Sequence, residues 1–172
     1  LKRLAPQGGK VYIIGEDGIR QAVLGDGLFT LDEQRADFVI VAIDRAFTYE
    51  KLARACTLIR NGARFIATNT DATFPLEVGV IPGSGAIVAA VKTCAEIEPV
   101  VIGKPQRILL DMAIEQMGAR RNETIVLGDR LDTDIAGAQA AGLASIKVLT
   151  GINNRSSSPH TSRRSSLRGC LT

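Results

Sequence analysis

The chain contains no tryptophan, and only 4% of its 172 residues are aromatic. Base-stacking platforms for nucleic acid are built from aromatic side chains, so no nucleic-acid partner is expected. Histidine occurs once, at His160, and Cys56, Cys94 and Cys170 stand at no metal-ligand spacing. A zinc site of the His/Cys type is thereby excluded. Three scattered cysteines argue against a disulfide framework and for a reducing compartment, so the expected location is cytoplasmic. No apolar run approaches 18 residues and no signal-peptide pattern occurs, so no membrane partner is expected.

The C-terminal stretch lacks acidic residues. Residues 152–172 carry Arg155, Arg163, Arg164 and Arg168, six serines and no Asp or Glu. The formal charge of +3 belongs to that stretch, because without those four arginines 17 basic residues face 18 acidic ones. Its composition predicts a disordered tail. The change follows abruptly on a strand-like segment, which raises the alternative that the tail is translated out of its proper frame. RRSSL within it also has the form of a basic-residue kinase site.

What remains is rich in alternating patterns, and 45% of the whole chain is hydrophobic. Apolar runs at 11–15, 37–44, 64–69, 99–103, 124–129 and 143–151 read as strands. Helical spacing or helix signals fall at 17–24, 48–62, 82–97, 105–118 and roughly 132–141, with Pro105 expected to start its helix and Gly118 to end it. Strands alternating with helices imply parallel β structure in an α/β fold. Such sheets place their chemistry in the loops at the carboxyl ends of strands.

Two of those loops hold candidate chemistry. After TIVL comes GDRLDTD, with Asp129 at the strand end and Asp134 five residues on, at a helix start. Carboxylates and water suit Mg²⁺, which favours one or two carboxylates together with a substrate phosphate. Asp132 reads as a helix cap or surface residue. VIGKP places Lys104 just past an apolar strand, where an ammonium can neutralise phosphate or a carboxylate nucleophile. PGSG at 82–85 offers a third candidate, a weak phosphate site on outward-facing helix amides.

VVIGKP, VLGDRLDTDIAGAQAAG and VLTG resemble motifs of the haloacid dehalogenase-like hydrolases, in the branch of p-nitrophenyl phosphatases and nucleotide or sugar monophosphatases. VYIIGEDGI, DRAFTYEKLARACTLIRNGARFIATNTDATFP and GVIPGSGAIVAA resemble the same branch. The resemblance covers about residues 10–151. It implies an α/β cap domain joined to the C-terminal half of a Rossmann-like parallel-sheet core. Residues 1–9 would end a preceding segment or linker, 10–98 form the cap, 99–151 the partial core and 152–172 the tail.

The resemblance further implies a Mg²⁺-dependent phosphate monoester hydrolase working through an aspartyl-phosphate on a small phosphorylated metabolite. Lys104 would be its lysine, Asp129 the Mg²⁺ ligand and Asp134 the supporting acid. Asn69 and Asp71 would face the substrate from the cap. A homodimer through the cap is a further partner the chain could have. The family's nucleophile pattern, DxDG, occurs nowhere in the 172 residues. By the resemblance it lies before Leu1, and the chain is expected to be inactive by itself.

Three alternatives stand beside this. The chain could be a non-catalytic binding or dimerisation module of the same descent. It could be a capless phosphatase using Asp44, Thr48 and Thr68 with Lys104 and Asp129. It could be a receiver-like domain with Glu16 and Asp17 as acid pair, Asp44 as phospho-acceptor, Thr68 as hydroxyl and Lys104 as lysine.

Overall fold

The computed structural model describes residues 1–149. The expectations for the Ser/Arg tail, its reading frame and the RRSSL site lie outside those residues. Nine strands and five α-helices are present among the described residues. Their order is β1 (Gly9–Ile14), α1 (Asp17–Leu24), β2 (Phe29–Leu31), β3 (Phe38–Val41), α2 (Tyr49–Arg60), β4 (Arg64–Ala67), β5 (Thr73–Pro75), β6 (Val80–Pro82), α3 (Ser84–Ala95), β7 (Val100–Val101), α4 (Ile108–Met117), β8 (Ile125–Gly128), α5 (Ala136–Ala140) and β9 (Ala144–Lys147).

A five-stranded sheet runs in the order β2-β1-β3-β4-β7, and every pairing in it is parallel. Its central strands are apolar at consecutive positions because both faces are covered. Tyr12, Ile14, Val39, Val41, Phe65 and Ala67 face one side, where α2 and α3 deliver Leu58, Ile59, Val88 and Val91. Val11, Ile13, Phe38, Ile40 and Ile66 face the other, against Ile19 and Val23 of α1 and Leu1 and Ala5 of the amino-terminal segment. Ile14 is fully buried, and an Ile-to-Ala truncation at such a site costs about 2–5 kcal/mol.

Helix α2 shows how local signals set an element. Thr48 caps it, its side chain accepting from the Lys51 amide at 3.2 Å. Arg60 lies in its last turn, and Gly62 follows with φ of 104°, a conformation that side chains resist.

Residues 100–101 lie beyond the 98/99 division expected between cap and core, yet they extend the first sheet by pairing with β4. β8 and β9 form a separate two-stranded parallel sheet. One face of it packs on α4 and α5 through Val126, Ile114, Ala138 and Leu143. A short antiparallel hairpin, β5–β6, projects between β4 and α3. Neither it nor β2 was legible in the sequence, because three-residue strands carry too little pattern.

Three expectations are corrected. The helix expected to begin at Pro105 begins at Ile108, since the Gln106 amide closes a turn on the Gly103 carbonyl at 3.1 Å. The helix expected over 132–141 opens as a π turn over Leu131–Ile135, with the Ile135 amide reaching back to the Arg130 carbonyl at 3.1 Å. The cysteines do pair: Cys56 of α2 and Cys94 of α3 form a disulfide, their Cα atoms 5.9 Å apart across 38 residues of sequence. The pairing removes the cysteine argument for a reducing compartment.

A cross-link closing a loop of that length is worth at most about 4 kcal/mol on chain-entropy grounds. Cys94→Ser should therefore lower the melting temperature of the air-oxidised protein by several degrees, and dithiothreitol should erase the difference. Equal melting temperatures for both proteins without reductant would show that the bond does not form in solution.

Candidate functional site

The carboxyl ends of β1, β3, β4 and β7 share one rim because all four strands are parallel. The loop after β8 meets that rim through Lys104. Its ammonium hydrogen-bonds the Oδ1 of Asp134, a residue 30 positions away in the π turn after β8. The side chain of Asp134 is only 8% exposed. Its Oδ2 accepts from the Arg130 amide at 3.1 Å, and the Asp129 amide also donates to the carboxylate.

Gly128 makes room for this arrangement. A Cβ there would stand 2.2 Å from the Asp134 Cβ, so only glycine lets the carboxylate fold back over the strand end. Gly103 serves the facing loop, where a Cβ would meet the Thr68 carbonyl oxygen at 2.4 Å. The π turn fits the same picture, since wide turns inside helices recur where a side chain must be re-aimed.

Asp129 is half-buried at the end of β8, beside this ion pair. The sequence-expected Lys104, Asp129 and Asp134 are thus brought together. Asn69 and Asp71 lie half-buried on the loop after β4, where the Asn69 Oδ1 accepts from the Asp71 amide at 3.1 Å. That loop packs on the Gly103–Pro105 turn: the Gly103 amide donates to the Thr68 carbonyl at 2.8 Å.

Arg130 is the residue sequence reasoning passed over. Its guanidinium binds Asp132 at 2.8 Å, which raises its pKa, and the charges of Asp71 and Asp129 act on it in the same sense. It therefore stands in the field of both loops. Its only sequence signal was its place beside Asp129 in GDR.

Asp132 is 62% exposed and pairs with Arg130, in keeping with a surface role. The PGSG site is corrected. The Gly83 and Gly85 amides do not face outward to a ligand. They donate to the Ala72 and Asp71 carbonyls, both at 2.9 Å. The Asp44-centred alternatives find no support in the geometry. Asp44 is buried, with Oδ2 at 2.7 Å from the Lys51 ammonium and Oδ1 accepting from the Ala46 amide at 2.9 Å. Thr48 caps α2, Thr68 donates to the Val41 carbonyl at 3.4 Å, and Glu16 pairs with Arg45 at 2.6 Å. An apolar cleft of about 470 Å³ lies beside Asp44 and Arg45, against Ile81 and Ile87, and shares no lining residue with Lys104, Asp129 or Asp134.

The donor set can be tested against Mg²⁺. That ion wants oxygen ligands and retains several waters. Asp129 places a carboxylate at the end of β8, and both oxygens of Asp134 accept hydrogen bonds. Among the described residues no cluster of three or more His, Cys, Asp or Glu could hold a metal alone. The residues fit an ion that draws one carboxylate from this chain, with Asp134 orienting Lys104 and the loop.

A family model described as HAD-hydrolase-like matches residues 101–167. The chain belongs to the haloacid dehalogenase-like hydrolases. It is 46% identical over 145 residues to the 5'-nucleotidase YutF of Bacillus subtilis (strain 168), a match covering 84% of this chain and 56% of that one. Its fold matches a crystal structure of a double mutant thermostable NPPase from Geobacillus stearothermophilus with a TM-score of 0.85 and 41% identity, covering 90% of this chain and 62% of that one. It also matches a glycerol phosphate phosphatase, Rv1692 of Mycobacterium tuberculosis, solved in complex with magnesium, with a TM-score of 0.78 and 40% identity over 88% of this chain and 46% of that one. The chain spans just over half the length of the curated relatives it matches.

Burial pushes the Asp134 pKa up, but the Lys104 hydrogen bond and the Arg130 amide pull it further down, below its ordinary 3.8. A depressed carboxyl stabilises the fold above its unfolded value and loses that contribution as pH falls through the folded one. Asp134→Asn should thus flatten the fall in urea midpoint from about pH 4 downward. A midpoint that drops as steeply in the variant as in the parent would show that Asp134 is not held ionised.

Proposed function

We propose that the chain supplies the lysine-and-carboxylate half of a Mg²⁺-dependent phosphate monoester hydrolase site, acting on a small phosphorylated metabolite. The observation that carries this is the Lys104–Asp134 ion pair, which joins the loops after β7 and β8 beside Asp129. Lys104 would neutralise phosphate oxygens while Asp134 fixes its position. Asp129 would hold Mg²⁺, which when bound supplies positive charge to the transferring phosphoryl group. Asn69 and Asp71, on the loop packed against Gly103, would face the rest of the substrate from the cap. A glycerol phosphate phosphatase solved with magnesium, a p-nitrophenyl phosphatase and a 5'-nucleotidase among the similar proteins support the phosphate class without choosing among substrates.

The chain alone should turn over p-nitrophenyl phosphate negligibly, because no DxDG pattern is present to supply an attacking carboxylate. The test is a chimera in which residues 10–149 replace the matching stretch of the Bacillus subtilis 5'-nucleotidase. It should hydrolyse p-nitrophenyl phosphate only with Mg²⁺. Asp129→Asn and Lys104→Met should each lower kcat by about 10²-fold or more. A folded chimera whose activity survives Asp129→Asn sinks the assignment.

A second reading, a dimerisation module, is favoured by the β5–β6 hairpin. Phe74, Leu76, Val78 and Val80 there are 49–91% exposed, more apolar surface than a solvated hairpin needs. Sedimentation should then show a dimer that Val78→Asp dissociates, and a monomer at all concentrations would remove this reading.

A further inference from the structure

Strand β1 outruns its neighbour β2. Leu31, the last residue of β2, pairs with Val11, so past that point one edge of β1 has no strand beside it. Carbonyls on a strand edge recur every second residue. The Val11 carbonyl accepts from the Asp32 amide at 3.0 Å, and Arg20 takes the next two. Its Nε donates to the Gly15 carbonyl and its Nη2 to the Ile13 carbonyl, both at 3.2 Å. This uses the side-on edge of a guanidinium that carries five N–H groups. No carboxylate pairs with Arg20 among the described residues.

The notch beside Arg20 opens into a cavity of about 240 Å³, lined also by Tyr12, Thr48, Lys51 and Arg54. Tyr12 is 6% exposed, and its hydroxyl has no hydrogen-bond partner among the described residues. A buried hydroxyl left unpaired is costly, so a partner is wanting there. Burial pushes the phenol above its ordinary 10.0, and the charges of Arg54, Glu33, Arg20 and Glu50 also act on it. All four residues line this cavity, so the phenol faces into it and stays protonated, a donor, at neutral pH.

Charge in the cavity is sorted by depth. The Arg54 side chain is 34% exposed, whereas its partners Glu33 and Glu50 are 66% and 82% exposed at the mouth. The Lys51 ammonium is tied to Asp44 at 2.7 Å, so Arg20 carries the unbalanced charge. Thr48 Oγ1 accepts from the Lys51 amide and keeps its own hydrogen to donate. Leu31, 47% exposed, adds an apolar border. Closing the edge of β1 accounts for two N–H groups of Arg20, but not for the Tyr12 hydroxyl.

We propose that this cavity is a binding site for a small organic anion, a carboxylate on a short apolar skeleton. The carboxylate lies across the end-on N–H pair of Arg20, a geometry that favours two parallel hydrogen bonds, and accepts from the Tyr12 hydroxyl. The skeleton rests on Leu31. None of Lys104, Asp129 and Asp134 lines this cavity, so the site stands apart from the phosphatase reading and is tested without it.

The test is a titration of the 172-residue chain with succinate, glutamate and benzoate, followed through backbone amide shifts by NMR. At least one of them should give saturable shifts at Tyr12, Arg20, Leu31 and Thr48, with a millimolar or tighter dissociation constant. Tyr12→Phe removes the hydroxyl and keeps the ring, and should weaken binding about threefold or more. Arg20→Gln should weaken it about tenfold or more. Arg35→Gln, exposed and outside the cavity, should change it less than about twofold, since an exposed charge is screened. Should Arg20→Gln fail to fold, Tyr12→Phe decides alone. The proposal is overturned by any of four results: no saturable shift with any of the compounds, shifts confined to the loops after β7 and β8, binding indifferent to Tyr12→Phe, or sulfate binding as tightly as the carboxylates. A loss in Arg35→Gln equal to that in Arg20→Gln would overturn it too, by showing general attraction of anions.

Discussion

Parallel pairing of β1, β3, β4 and β7 is the constraint on which the rest of the molecule depends. Strands that run the same way cannot be joined by tight turns, so each step must cross the sheet through a helix or a long loop. Those crossovers cover both faces, which is why Val11 to Ile14 and Phe38 to Val41 are apolar without alternation. The same constraint sends every strand's carboxyl end to one rim. Glu16, Asp44, Asn69 and Lys104 collect there although 88 residues separate the first from the last.

Polar residues on that rim divide by what their oxygens and nitrogens already do. Asp44 is a stronger sequence candidate than it is a structural one. Its carboxylate is spent on Lys51 and on its own turn, which anchors the start of α2. Asp134 is buried to a similar degree but is tied to a lysine on the loop after β7, so it fixes the distance between the loops after β7 and β8. An ion pair of this kind contributes little net stability once desolvation is counted. Its value is positional, because it sets Lys104 beside Asp129.

The two sheets also differ in completeness, and the difference follows from the same physics. The first has helices on one side and α1 with the amino-terminal segment on the other. The second has α4 and α5 on one side only. A site assembled at the end of β8 therefore rests on a layer that the described residues only half supply.

The sequence by itself determined the elements with strong period: the apolar runs of β1, β3, β4 and β8, the span of α2 between Thr48 and Gly62, and the α/β alternation. It also marked Lys104, Asp129 and Asp134 as candidates, since GKP and GDRLDTD follow strand-like runs. Tertiary structure decided the rest. The Cys56–Cys94 bond, the Lys104–Asp134 pair and the filling of the PGSG amides by Asp71 and Ala72 join residues up to 38 positions apart. Local spacing carries no signal for such pairs. Helical and strand periods record which face of an element is buried, whereas the partner it meets is chosen by how the layers close on one another.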